Sequence, residues 1–238
     1  MKQSFNKETI IDSFLNSFMW GFGLGLIFYA LFGSPFANAG GQIDFGGKLD
    51  GGDLSITTAV DYSWPAGKFE RDIEFDYRYK DEDNAITTNK GLIAFKQRLE
   101  FKPKHYTFGL IRYDYDEFRT INHRRQVNIG WGYKIIRSDK IKMSNEFAVG
   151  YLNSEIDIGS NSVSEVLFRN SLWFFYNVAP KLNFTNKYLY EASDIPLVRN
   201  ETKFEYLLTD KVKIGLKNVY TEDPHSDNIL SFNIGYIF

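Results

Sequence analysis

The sequence predicts an all-β fold: a closed antiparallel transmembrane β-barrel of about twelve strands. Three observations predict it. Segments of alternating apolar and polar residues recur along the chain and no long window carries a helical period. Turn residues separate these segments at regular intervals, with tight connectors alternating with longer polar ones. Many aromatic faces need covering, yet no helix or second apolar layer is available to cover them, so the sheet must close on itself.

The chain has 238 residues, a formal net charge of −2, no Cys, 15 Tyr and 22 Phe. A mean hydropathy of −0.33 suits a barrel, in which only alternate strand residues meet hydrocarbon. Near-neutral charge argues against a nucleic-acid partner. The lack of Cys rules out a disulfide framework and thiol chemistry.

The N-terminal segment is a separate element. Phe18 to Phe32 is an apolar run of about 15 residues, short for a spanning helix and suited to a signal-peptide core. Lys2 and Lys7 precede it and Ala37-Asn38-Ala39 follows with small-x-small spacing. Residues 1–39 are therefore expected to be a signal peptide cleaved after Ala39, with 40–238 as the barrel. Glu8 and Asp12 offset the two lysines, and an uncleaved anchor is the other reading.

The expected strands are 41–49, 54–64, 69–80, 89–101, 105–116, 124–136, 141–152, 163–177, 181–191, 200–209, 212–221 and 228–238. The third is the clearest. Phe69, Ile73, Phe75, Tyr77 and Tyr79 share one face, and Glu70, Asp72, Glu74, Asp76, Arg78 and Lys80 the other. The fifth breaks phase: Phe108 and Leu110, placed on the lipid face, alternate in register with Arg112 and Asp114. Either a β-bulge near Leu110-Ile111 returns the charges to the lumen, or the stretch already lies above the membrane.

The tight connectors are 64–68, 102–104, 137–140, 178–180 and 209–211. The longer ones are 81–88, 117–123, 153–162, 192–199 and 222–227, and the loop at Asp50-Gly51-Gly52-Asp53 is an exception. With both termini periplasmic, every tight turn falls on the periplasmic side. Tyr62, Trp64, Phe101, Tyr106, Trp131, Tyr133, Trp173, Phe175, Tyr176, Tyr188, Tyr190 and Tyr236 cluster toward strand ends, as girdle aromatics do.

The same phase fills the lumen with charge. Glu70, Asp72, Glu74 and Asp76 come from the third strand, and Lys96, Arg98 and Glu100 from the fourth. Glu201, Lys203 and Glu205 come from the tenth, and Lys213 and Lys217 from the eleventh. These charges form either a selectivity lining for small polar solutes or an ion-pair network that fills the lumen.

No catalytic residue, metal site or cofactor is expected. His225 has Asp223, Ser226 and Asp227 beside it on a loop, which keeps open a hydrolase of the lipase or protease kind. A metal held by His225 with Asp223 and Asp227, or a cation at Asp81-Glu82-Asp83, rests on no more than a polar loop composition. A surface ligand-binding barrel is a third reading.

The last strand carries an address. Leu230, Phe232, Ile234, Tyr236 and Phe238 alternate with Ser231, Asn233 and Gly235. The pattern resembles the C-terminal signal of bacterial outer-membrane barrels, which implies that Phe232, Ile234, Tyr236 and Phe238 are read by the barrel-assembly machinery. The expected location is the outer membrane of a Gram-negative bacterium, with outer-membrane lipid as partner.

The middle of the chain carries a family resemblance. Tyr113-Asp114-Tyr115-Asp116-Glu117-Phe118, Arg124-Arg125, Gly130-Trp131-Gly132-Tyr133 and Glu146-Phe147-Ala148-Val149-Gly150-Tyr151 resemble the salt-induced outer-membrane protein family, a domain of unknown function. The resemblance covers most of the chain after residue 39. It implies an outer-membrane barrel with no established activity and no catalytic residues. The resulting expectation is a narrow pore or an envelope-integrity protein.

Overall fold

The computed structural model describes residues 40–50, 53–66, 68–82, 85–117, 121–156, 161–194, 196–223 and 225–237. The expected signal peptide and the terminal Phe238 lie outside them. Twelve strands run in chain order: β1 (Gly40–Asp50), β2 (Asp53–Ala66), β3 (Phe69–Glu82), β4 (Ala85–Lys102), β5 (His105–Asp116), β6 (Ile121–Arg137), β7 (Ile141–Ile156), β8 (Asn161–Ala179), β9 (Leu182–Ala192), β10 (Leu197–Leu207), β11 (Val212–Asp223) and β12 (His225–Ile237). Each pairs antiparallel with its neighbour in sequence, and β12 pairs with β1, so the sheet closes into a barrel.

Closure leaves no sheet edge, so the ladders satisfy the backbone without a covering layer. Side chains then have two destinations, inward and outward. Outward positions hold exposed apolar residues: Ile111, Val127, Ile129, Phe147, Phe168 and Leu230 are all more than half exposed. Register shifts fall at strand ends, at Lys80/Asp81, Glu100/Lys102, Ile121/His123, Lys134/Ile136 and Asn177/Ala179, and the central ladders are regular.

Three expectations need correction. Strand β5 keeps one phase from end to end, with no bulge at Leu110-Ile111. Tyr106, Phe108, Leu110 and Arg112 all point inward and are buried. The phase break disappears because Phe108 and Leu110 belong to the interior with the charges. Second, the connections do not alternate in length: every one is one to four residues long. The polar ends expected to be loops continue the ladder instead, as in β4 from Ala85 and β8 from Asn161, because the backbone pairs whatever the side chain's polarity. Gly51 and Gly52 lie outside the described residues. Third, Tyr106, Trp173 and Phe175 are not girdle residues. Tyr106 is buried in the interior, and Trp173 and Phe175 take the same inward phase as Arg169, which reaches Glu191.

Candidate functional site

Among the described side chains the interior is lined by β2–β12, and its lower part, toward the turns at 103–104 and 138–140, is packed with rings. Leu92, Ala94, Tyr106, Phe108 and Leu110 form one buried cluster on β4 and β5. The neighbouring strand makes room for it. Gly130 faces Phe108 and Gly132 faces Tyr106 across the β5–β6 ladder. A Cβ on Gly130 would stand 2.5 Å from the Phe108 ring, and one on Gly132 2.2 Å from the Tyr106 ring. The rings therefore lie flat against glycines, a pairing that fixes strand register. Below them Trp173 and Phe175 stack with centroids 6.2 Å apart.

Polar groups are threaded through this packing. Lys96 Nζ lies 4.5 Å over the Phe108 ring and 2.5 Å from Glu146 Oε1. Tyr106 Oη donates to the same Glu146 oxygen at 2.7 Å. Arg98 reaches Asp72 at 2.9 Å and Glu70 at 3.1 Å, and Lys134 reaches Glu100 at 2.6 Å.

The other side of the interior is closed by charge. Lys217 Nζ lies 3.3 Å from both Asp76 Oδ2 and Glu201 Oε2, joining β11 to β3 and β10. Arg78 holds Asp76 with two hydrogen bonds, of 2.8 and 3.1 Å. Lys203 lies 3.5 Å from Glu201 and 3.6 Å from Asp61, and Arg199 3.4 Å from Glu201. Lys213 pairs with Glu205. Glu191 on β9 has no exposed surface; Arg169 at 2.9 Å, Gln126 at 3.0 Å and Arg124 at 3.4 Å hold it.

An open channel would leave its lining wet. Asp76, Glu201, Lys203, Lys213, Lys217, Arg124, Gln126 and Glu191 are instead all buried, so side chains occupy the lumen at this level. Above them a recess of about 660 Å³, its open mouth included, faces the end of the barrel at which β5 gives way to β6. Arg78, Lys90, Arg112, Arg124 and Arg199 line it together with Asp76, Asp114 and Asp116. The basic groups outnumber the acidic ones there.

The eleven residues expected in the lumen all point inward. Glu70, Asp72 and Arg98 meet in one group, Lys96 in the Glu146 group, and Asp76, Glu201, Lys203 and Lys217 in the central network. Glu205 and Lys213 form their own pair, and Glu74 faces the buried Ala94 and Asp61 in register. Sequence reasoning missed Asp61, Glu146, Arg169 and Glu191, whose own strands alternate and thus carried the signal. It also missed Tyr106 and Phe108, for which the glycines opposite were the signal.

His105 and His123 sit apart from the interior. His105 packs on Trp131 and Tyr133, with centroids 5.6 and 4.9 Å away, and His123 Nδ1 bonds Tyr113 Oη at 2.8 Å. His225 opens β12 opposite Asp223, and its side chain, with those of Asp223 and Asp227, lies outside the described residues. The same holds for the side chains at 81–83. Among the described residues no group of three His, Cys, Asp or Glu is placed to hold a metal ion.

On β12, Phe232, Ile234 and Tyr236 point outward and are 45 to 53% exposed, while Asn233 and Gly235 point inward. Tyr236 and Ile234 stand opposite Ile43 and Phe45 of β1.

The strands define a closed antiparallel β-barrel whose fold is similar to that of outer-membrane porins. The NanC porin is similar over 83% of this chain and 98% of its own, with a TM-score of 0.55 and 11% identity. The KdgM porin (7% identity, 83% of this chain and 98% of its own, TM-score 0.47) is a looser match. So is the translocator domain of the autotransporter NalP from Neisseria meningitidis (11% identity, 95% and 97%, TM-score 0.46). The chain belongs to the family described as protein of unknown function, DUF481, whose model matches residues 41–238. The salt-induced designation is carried by the sequence resemblance alone. No curated protein matches the chain.

Proposed function

We propose that the protein is a narrow pore of the Gram-negative outer membrane, closed in the conformation described. The observation that carries this reading is the material of the closure: Lys217 bridging Asp76 and Glu201 across the interior. Ion pairs between side chains can be exchanged for pairs with a charged solute, which an apolar plug cannot offer. In this reading residues 1–39 direct export and are removed after Ala39, and the barrel end at which Gly40 and Ile237 lie faces the periplasm. Phe232, Ile234, Tyr236 and Phe238 on the last strand recruit the assembly machinery.

Single-channel recording in planar bilayers tests it. Wild type is expected to be silent or nearly so at low voltage. The paired change Glu201→Gln with Lys217→Met, which leaves no unpaired charge between these two, is expected to give discrete channel events. Steady large conductance from wild type would refute a closed state, and silence from both proteins would refute a pore.

That second outcome would favour a filled barrel that serves envelope integrity. The observation on its side is the ring packing of Tyr106 and Phe108 against Gly132 and Gly130, which no solute can displace.

A further inference from the structure

The outward wall is not uniform. Near mid-length on β9, β10 and β11 its residues are Asn186, Thr202 and Asn218, where Ile111, Val127 and Ile129 stand on β5 and β6. Thr202 is the register partner of both asparagines, so the three form one row across three strands. Asn186 Nδ2 donates to Thr202 Oγ1 at 2.9 Å and to Asn200 Oδ1 at 3.1 Å. Thr202 Oγ1 donates to Asn200 Oδ1 at 3.2 Å. The buried Asn218 Oδ1 accepts no hydrogen bond. Apolar side chains flank the row: Phe204 and Leu216, both about half exposed, lie on the tight-turn side, and Tyr188 and Tyr220 on the other.

That oxygen is covered by its own chain, but hydrocarbon also offers no hydrogen-bonding partner to the amide groups that the row leaves at its surface, and the backbone here is consumed by the ladders. A polypeptide neighbour can supply it, as polar side chains do between membrane-spanning segments. The chemistry of the row selects the neighbour. Asn186 spends both N–H donors within the row and keeps its acceptor oxygen, while Asn218 keeps its N–H donors, so the row is complementary to a copy of itself. A two-fold axis along the membrane normal brings the same residues face to face.

We propose that the outward face of β9–β11 is the contact between two copies of this barrel in the membrane. The proposal rests on the outer-membrane reading above. The absence of Cys makes it directly testable, because one introduced Cys is the sole thiol. Leu216→Cys stands beside the row and leaves it intact; Ile93→Cys stands on the opposite wall, on β4.

With a short bismaleimide in native outer membranes, Leu216→Cys is expected to give an adduct of twice the monomer mass. Its yield should exceed that of Ile93→Cys by roughly tenfold, the scale of one to two polar contacts between membrane segments. Adding Asn186→Leu, Thr202→Val and Asn218→Leu should bring the yield down to the Ile93→Cys level. These apolar changes suit an outward barrel face, and heat-modifiable migration reports that the variant has folded. Equal yields from the two positions would overturn the contact, as would an adduct of another mass or indifference to the triple change. Recovery of wild type outside the membrane fraction would overturn the outer-membrane reading and this contact with it.

Discussion

Strands β5–β6 and strands β9–β11 close the same lumen by different means. On β5–β6, Tyr106 and Phe108 lie against Gly132 and Gly130, and shape holds them. On β9–β11, Glu191, Lys203 and Lys217 are buried and held by opposite charges from β2, β3, β6 and β8, and the buried Glu201 by Lys203 and Lys217. The first kind of closure has no alternative arrangement of similar energy, since interiors are close-packed. The second has one whenever another charge arrives. The comparison teaches that one side of the barrel is a fixed wall and the other a set of replaceable pairs.

The strongest break of this comparison is Glu191→Leu. It removes the shared carboxylate of Arg124 and Arg169 from a site with no exposed surface, and breaking a buried pair costs about 3–5 kcal/mol. The denaturant midpoint in micelles, followed by tryptophan fluorescence, should fall accordingly; an unchanged midpoint would mean that the pair contributes nothing. Next in size is Gly132→Ala, whose new Cβ meets only Tyr106 side-chain atoms among its nearest neighbours, at 2.2 to 2.6 Å. Overpacking of this kind costs roughly 1–3 kcal/mol. The cost should shrink in a Tyr106→Leu background, and an equal cost in both backgrounds would place the clash elsewhere. The smallest effect is expected from Arg125→Gln. Arg125 meets Glu155 at 2.6 Å, but the two side chains are 53% and 39% exposed. A change within about 0.5 kcal/mol is expected there, and a larger one would show that burial is not what separates the pairs that matter.

Much of this fold was legible in sequence because alternation survives without knowledge of any partner. Phe69 to Lys80 reads as a strand on its own, and the strand count follows from repeating that reading. The ends of strands were harder: Ala85 to Thr88 and Asn161 to Ser162 look like loop and fall within strands. The interior was legible as a set of charges and illegible as a set of pairs. Asp76 and Lys217 are 141 residues apart, and nothing local says that they meet. Phe108 and Leu110 misled because an apolar residue satisfies either the outward wall or a filled interior. Glycines at 130 and 132, two residues apart on the facing strand, settle that choice once register is known.

The seam between β1 and β12 has a consequence for how the chain reaches this state. Among the described residues its ladder runs only from Gln42 to Gly46, paired with Ile237 to Asn233, whereas β1 pairs with β2 along its whole length. Every other ladder joins strands adjacent in sequence, but this one joins the two ends of the domain. Loop closure on that scale is slow, and a short ladder gains least from it, so the seam forms last and parts first. Amide hydrogen exchange should therefore run fastest along Gln42–Gly46 and its partners on β12, leaving the sheet briefly an open ribbon while the other ladders stay protected.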